Sequence, residues 1–566
     1  MVIGKRRLSN KHKDIIWMIL MCVVAVATNF VFEFGEVEKI SYKVVALCVG
    51  IFLIAICLLR NWLSEYDYKL VRNLGLLGIF MVIYTYLLGK FRADNISSIN
   101  VMICLCLSFC LIALFFLWRF WKDYDKNDNV VYYVLFLAFL IRFCFFTMSN
   151  YDIAQNDVGV FSENFKHLGY IHHIFMSGKL PEDNPMLSDQ FCHPPLHHLI
   201  SALYLKFCYI LGFEQEIWVE NLQTLPFIYS NLSLLILDKI ARVLKINVNG
   251  RTIVLILTAF IPYNTMLSGA LNNDALLFLM MLLSIYFTLK WYEEPKLCWI
   301  AYMAFSIGLA MMTKISGVLI APAMAFVMIY KLCERRNARG DLLRQFIVFG
   351  FISFPLGLWY PVLRYIQFKM PLGFVVRLPI DSYQYIGNYK LWKRFFDFSD
   401  YWKSPYLCLQ VEKGYIDHNI FTGLIKTALF AEADFSKNSD LLRGVSWFGL
   451  VVMSLTLIGL FVGFVAFLKD RKICNVIKIF IMCLIGVIFT SWIFFCLDCP
   501  HVCTMHIRYV WIAIYVLALV AGMQISNRKW FKQRLLLVKG MFLLYCGTFM
   551  LLILSIVNEM QGSGSF

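Results

Sequence analysis

The chain has 566 residues, 60% of them hydrophobic and 16% charged, with a formal net charge of +16. So small a charged share, against roughly a quarter in soluble domains, excludes a water-soluble globule. Apolar runs of about 17–24 residues recur from end to end, each long enough for a hydrocarbon core of about 30 Å, which suits spanning helices and not the short alternating strands of a barrel. The expected fold class is therefore an all-α polytopic membrane protein with the lipid bilayer as its solvent. The positive charge fits cytoplasmic loops and calls for no nucleic acid. Most cysteines, such as Cys104, Cys106 and Cys110, lie in apolar runs as small hydrophobes. Cys496, Cys499 and Cys503 are close enough in sequence for a disulfide.

In chain order, Lys5, Arg6, Arg7, Lys11 and Lys13 make the start basic and so cytoplasmic. The first apolar run has no small-residue cleavage site and reads as a retained span. Spans are expected at 14–32, 42–59, 73–89, 97–118 and 129–149. Arg60, Lys69 and Arg72, then Arg119, Lys122 and Lys126, fall inside; Glu33, Glu36 and Glu38 fall outside, with Lys90 and Arg92 as a mild exception. Five crossings place the polar stretch 151–198 outside the cytoplasm.

The segment 196–213 is apolar enough to span. If it did, the basic loop Lys331, Arg335, Arg336, Arg339 and Arg344 would lie outside, as would Arg242 and Lys245. As an interfacial or re-entrant helix it leaves every later basic loop inside, including Lys469-Asp470-Arg471-Lys472 and Arg528 to Arg534. The Lys and Arg bias selects the second reading, and the first outer loop then runs to about 224. Further spans are expected at 225–244, 252–268, 275–291, 298–313, 317–331, 345–365, 446–468, 476–495, 508–524 and 535–557. The total is about fifteen, with the N-terminus in, the C-terminus out and all long polar loops on one side.

Five regions follow. Residues 1–125 form a four-helix extension, and 126–365 a core whose first outer loop is 150–224. Residues 366–445 form a second outer loop and 446–561 the C-terminal helices, while 562–566 read as an appended tail.

The chemistry gathers on the outer side. Asp152 and Asp157 follow the fifth span, where a carboxylate can take a proton from an attacking hydroxyl or simply be a solvated loop acid. His193-Pro194-Pro195 starts the interfacial helix; the prolines fix an extended turn, and the histidine can bind phosphate, orient a base or make a structural hydrogen bond. His167, His172, His173, His197 and His198 have spacings poorly suited to one helical face, so no metal site is expected; His167 stays a substrate-binding candidate. In Asn272-Asn273-Asp274, Asn273 or Asp274 is expected to cap the next helix. Lys314, between two apolar runs, and Arg508, at the start of a late span, are candidate phosphate ligands or interface anchors. The second loop carries Trp402, Tyr406 and Tyr415, then 419–435, where Leu424, Ile425, Ala428, Leu429 and Phe435 give an apolar face expected to lie on the membrane as a roof.

With these residues in place the chain resembles the GT-C superfamily of glycosyltransferases, close to protein O-mannosyltransferases and lipid A aminoarabinose transferases (glycosyltransferase family 39/83-like). In that family the first outer loop opens on a catalytic Asp. In protein O-mannosyltransferases the same loop carries His-Pro-Pro-Leu, matched by His193-Pro194-Pro195-Leu196. Ser268-Gly269-Ala270-Leu271-Asn272-Asn273-Asp274 is similar to the acidic second-loop motif of the oligosaccharyltransferase catalytic subunit, and Arg508 is loosely similar to its lipid-phosphate arginine. The resemblance covers 129–365 well and the C-terminal part weakly. The spans before residue 125 have no counterpart in the shared seven-helix core. The family's Asp-Glu pair reads Asp157-Val158 here, which leaves Asp152 eligible beside the favoured Asp157.

The resemblance implies a sugar donor on a polyprenyl phosphate, an unknown acceptor and inversion in one displacement with Asp157 as base. Lys314, Arg508 and Lys426 would meet the leaving phosphate's charge, and His193 and Asp274 would orient donor or acceptor. No cofactor is required; a divalent metal stays an alternative because the oligosaccharyltransferase branch uses one. A lipid-linked sugar transporter would show inverted repeats and midplane charges. A polymerase or ligase would favour arginines and a histidine in a large outer loop over paired acids. Lys-, Asn- and Ile-rich usage points to an AT-rich genome and a bacterial cell membrane.

Overall fold

A computed structural model describes residues 128–149, 151, 157–163, 165–210, 215–409, 414–434, 440–527, 544–549 and 552–553. The expected spans before residue 120, most of 535–557, and Asp152 lie outside the described residues. The structure is helical, and among the described residues there is no strand beyond a single bridge pairing Tyr385 with His501. Six described helices are long and apolar enough to cross a membrane, or up to seven if one bent pair is a single span, so the chain is an integral multi-pass membrane protein.

Helix contacts divide the chain into two compact units. Of the described residues, Ser201–Thr224 belong to one unit, in which Tyr209 meets Trp218 edge-on at 5.7 Å between ring centroids. The rest belong to the other unit, which holds all the candidate site residues described.

In chain order, α1 (Asn129–Met148) of the larger unit leads through a loop to α2 (Lys166–Ser177) of the same unit. Then comes α3 (Leu196–Ile210), whose 15 residues reach only about 22 Å, short of a bilayer core. After α4 (Gln215–Leu222) and α5 (Thr224–Val243), α6 (Val248–Ala259) is followed by α7 (Pro262–Met266). The expected single span 252–268 is thus two helices bent by 75°. Pro262 opens α7 at a position that needs no N–H, and a break inside a membrane requires its exposed backbone groups to be met. Asn264 does this: its amide donates to Thr258 O at 2.8 Å, and its oxygen accepts from the Tyr515 hydroxyl at 3.1 Å.

Next come α8 (Asp274–Glu293), α9 (Leu297–Thr313), a 3-10 stretch Ile315–Ile320, α10 (Ala321–Glu334) and α11 (Arg339–Phe368). The α9–α11 interface is tight because it has glycines: a Cβ on Gly308 would lie 2.8 Å from Leu356 Cβ, and one on Gly357 2.9 Å from Met311 Sδ.

The second loop carries α12 (Leu391–Phe396) and α13 (Ile420–Phe430). Asn419 caps α13 by accepting from Phe421 N and Thr422 N. The expected one-faced roof helix is instead buried on nearly every side, Gly423 to Leu429 included, apart from the half-buried Ile425. The reason is lateral docking: Thr427 Oγ1 accepts from Ile507 N at 2.9 Å, and Lys426 turns inward to Asp417. Then come α14 (Asp440–Lys469), α15 (Asn475–Asp498), two 3-10 turns (Val502–Met505 and Ile507–Val510) and α16 (Trp511–Asn527). Cys496, Cys499 and Cys503 are free thiols here, not the disulfide their spacing allowed; Cys496 instead donates to Thr504 O at 3.3 Å.

Candidate active site

At one end of the larger unit, four distant pieces of chain bring their polar residues together. Lys314 is the extended residue between α9 and the following 3-10 turn, so its side chain leaves the helix and reaches across to α8. Its ammonium donates to Asp274 Oδ1 at 2.7 Å, with Asp274 only 4% exposed. Neither Asn273 nor Asp274 caps α8 as expected. Asn272 Oδ1 accepts from Asp274 N at 3.1 Å, which leaves the Asp274 carboxylate available to Lys314. Asn273 donates to Thr313 O at 3.3 Å and tethers the two helix ends, while its Oδ1 is enclosed with no partner.

Beside this pair, Arg508 donates from Nη1 to Asp157 Oδ2 at 3.1 Å, across 351 residues of sequence. Asp157 holds φ +61°, a left-handed conformation that Asp adopts at moderate cost. Two hydrogen bonds hold it there: His167 N to Asp157 O, 3.1 Å, and Leu168 N to Val158 O, 2.9 Å. Arg508 also donates from Nη2 to the Tyr509 hydroxyl at 3.0 Å. Its Nε is enclosed and unpartnered, as is Nε2 of His506, whose Nδ1 accepts from Arg508 N at 3.0 Å.

His193 lies in the field of both pairs, sensing Lys314, Asp274, Asp157 and Arg508. Burial, then the nearby Lys314 charge, pushes its pKa down to about 3, so it is a neutral ring with one donor and one acceptor. The ring stacks on His167 at 6.1 Å, and His167 Nδ1 shares a 2.9 Å hydrogen bond with His198 Nε2. His197 packs edge-on to His198, with both its ring nitrogens enclosed and unpartnered. Helix α11 braces the loop from outside: Tyr360 donates to Phe191 O at 2.6 Å, and Arg364 donates to Pro181 O at 2.7 Å. His172 lies apart, against Phe161.

Lys426 is committed elsewhere. Fully buried, it pairs with the equally buried Asp417 at 2.9 Å and donates to Asp400 O at 3.1 Å. Its charge is neutralised within the second loop. A residue that sequence reading passed over is Glu432, just after α13, which lies in the field of Arg508 and Asp157 and has an enclosed, unpartnered Oε1. Its only sequence signal is an acid directly following a capped apolar helix.

Among the described residues no group of three or more His, Cys, Asp or Glu side chains is arranged to hold a metal ion. The arrangement instead offers two cations, each already paired with a carboxylate, ringed by enclosed donors and acceptors with spare capacity. That suits an anionic, hydroxyl-rich ligand.

Residues 192–359 match the family model described as dolichyl-phosphate-mannose-protein mannosyltransferase. The match covers under half of the chain; it takes in His193, Asp274 and Lys314 but stops short of Asp157, Arg508 and Glu432. It supports a GT-C-type membrane glycosyltransferase that uses a polyprenyl-phosphate sugar donor. A comparison with curated proteins finds no match.

Proposed function

We propose that the protein transfers a sugar from a polyprenyl phosphate to an acceptor hydroxyl at the extracytoplasmic face of the membrane, with inversion in a single displacement. The observation that carries this reading is the convergence of Asp157–Arg508 and Asp274–Lys314 among enclosed, unpartnered polar atoms. Asp157 takes the acceptor proton as the hydroxyl attacks the anomeric carbon. Lys314 and Arg508 face the lipid phosphate, whose negative charge grows as the bond to the sugar breaks. Neutral His193 hydrogen-bonds a sugar or acceptor hydroxyl, and Asp274 sets the position of Lys314. Charge compensation by these cations makes a metal unnecessary.

The test is transfer by purified full-length protein from a panel of polyprenyl-phosphate sugars, mannose first, to hydroxyl-bearing peptides and lipids. Turnover with at least one donor is expected. Asp157→Asn is expected to lower kcat by about 10²–10⁴-fold. Asp152→Asn should leave it near wild type, and a chelator should leave it unchanged. Undiminished turnover in Asp157→Asn removes that residue as the base.

A further inference from the structure

We propose that Glu432 is the general acid of this site, giving its proton to the lipid phosphate as that group departs. The inference rests on the transfer reaction proposed above and adds a second carboxyl group to it.

The placement of Glu432 comes from how α13 ends. The last turn of the helix is fastened through Thr427 to Ile507, the residue before Arg508. At Ala431 the chain then turns through φ +52°, a conformation that alanine rarely adopts and that neighbouring contacts must enforce. Ala431 N still donates to Thr427 O, and Ala433 N donates to Phe430 O at 3.0 Å, so the turn is held on both sides of Glu432. The side chain that follows lies where Arg508, Asp157 and Cys503 meet.

The charge balance of the cluster sets its protonation. Asp157 has Arg508 and Asp274 has Lys314. Glu432 is a further carboxyl group in the field of Arg508, which is already engaged by Asp157, and its Oε1 has no hydrogen-bond partner. Glu432 is half-buried with its Oε1 enclosed; a carboxylate so held away from water without a cation of its own is costly, and the neutral acid relieves that cost. Burial pushes the Glu432 pKa up to about 7; Arg508 opposes the rise and Asp157 adds to it.

A proton held there has a use. The donor phosphodiester carries one negative charge, and the departing lipid phosphate is a monoester that binds a proton with a pKa of about 6. An acid titrating near neutral pH is well matched to it. In the balanced step, the acceptor O–H bond breaks with its proton going to Asp157, and the acceptor oxygen bonds to the anomeric carbon. The bond from that carbon to the phosphate oxygen breaks, its electron pair stays on the phosphate, and the phosphate receives the Glu432 proton. Return of one proton from Asp157 to Glu432 resets the pair.

The experiment compares wild type, Glu432→Gln and Glu432→Asp as full-length proteins in lipid nanodiscs, with polyprenyl-phosphate mannose as probe and released polyprenyl phosphate as readout. Wild-type kcat should fall as pH rises through about 7, because the acid must hold its proton. Glu432→Gln should lose that alkaline limb and run about 10²-fold slower, with the donor KM little changed. Glu432→Asp should restore the limb. A mannosyl aryl phosphate, whose departing group needs a proton less, should shrink the Glu432→Gln defect. Persistence of the alkaline limb in Glu432→Gln, or a defect confined to KM, overturns the proposal.

If wild type releases no polyprenyl phosphate from any donor, the transfer reading fails. The acid role of Glu432 falls with it, whereas turnover that keeps its alkaline limb in Glu432→Gln overturns the acid role alone and leaves the transfer reading standing.

Discussion

At the N-terminal end of α1, Asp128 and Asp238 share Arg251 and Arg242 through contacts of 2.7–2.9 Å. Two acids and two bases saturate each other, and Arg251 is only 5% exposed. Past the other end of the same helix, which is about 30 Å long, Asp157, Asp274 and Glu432 face Lys314 and Arg508. The residue types are the same, but the balance differs. There are more acids than bases, and Asn273 Oδ1, Arg508 Nε, His506 Nε2 and Glu432 Oε1 are enclosed with nothing to bond. A buried network with every valence met is a clamp between helices. One with valences left over is stable only if it gains a ligand often enough to matter, or if the rest of the fold sustains it. The comparison separates charges that hold the protein together from charges that act on something else.

The sharpest way to break that distinction is to remove one cation from each end. Arg251→Met leaves two buried acids, Asp128 and Asp238, to share Arg242, which is 31% exposed, and a loss of about 3–5 kcal/mol of stability is expected, read as a lowered melting temperature in detergent. Lys314→Met should act the other way. Turnover of polyprenyl-phosphate sugar should fall about 10²–10³-fold, while the melting temperature falls less than for Arg251→Met because Asp274 still senses Arg508. Equal destabilisation by the two substitutions would erase the distinction.

The second loop supplies a third buried pair, Asp417–Lys426, and tests which class it joins. Lys426→Met alone should cost about 3–5 kcal/mol, while Asp417→Leu with Lys426→Met should recover most of that if the pair is purely structural. A loss of turnover in the double variant at preserved stability would return Lys426 to the site.

The smallest effect concerns His418, which sits 2.6 Å from Asp400 and 3.4 Å from Asp397, stacks on Tyr389 and shares Asp400 with Lys403. Burial opposes its charge, but the hydrogen bond and charge of Asp400 outweigh burial and raise its pKa above the ordinary value. A raised histidine pKa stabilises the fold below its unfolded value and loses that contribution as pH rises through the folded one. The protection of amides in 386–409 and 414–430, taken as the exchange rate relative to the base-catalysed rate of an unfolded chain at the same pH, should therefore be greatest in mildly acidic buffer and fall as pH climbs past about 6.5, and His418→Asn should flatten the dependence. A pH-independent protection in wild type would count against this.

Part of the site was legible early because its residues break a pattern. In a chain this apolar, a charge at a helix end is conspicuous, so Asp157, Asp274, Lys314, Arg508 and His193 stand out without any structure. Pairing was not legible. Nothing local to Asp157 tells that its partner lies 351 residues on, or that Lys314 meets Asp274 while Lys426 is sealed against Asp417. Glu432 escaped notice because an acid after a helix is ordinary in sequence; only the docking of α13 beside Arg508 makes it unusual.

The sequence by itself determined the class of solvent, the helical fold and the places where polar chemistry gathers. Those depend on composition and on apolar runs long enough to cross a bilayer, which are properties of contiguous residues. The tertiary structure alone decided where the span 252–268 bends, which amide caps α8, which acid holds which base and which polar atoms are left without a partner. Those depend on distances between helices far apart in the chain, and the balance of buried charge is settled only once they pack.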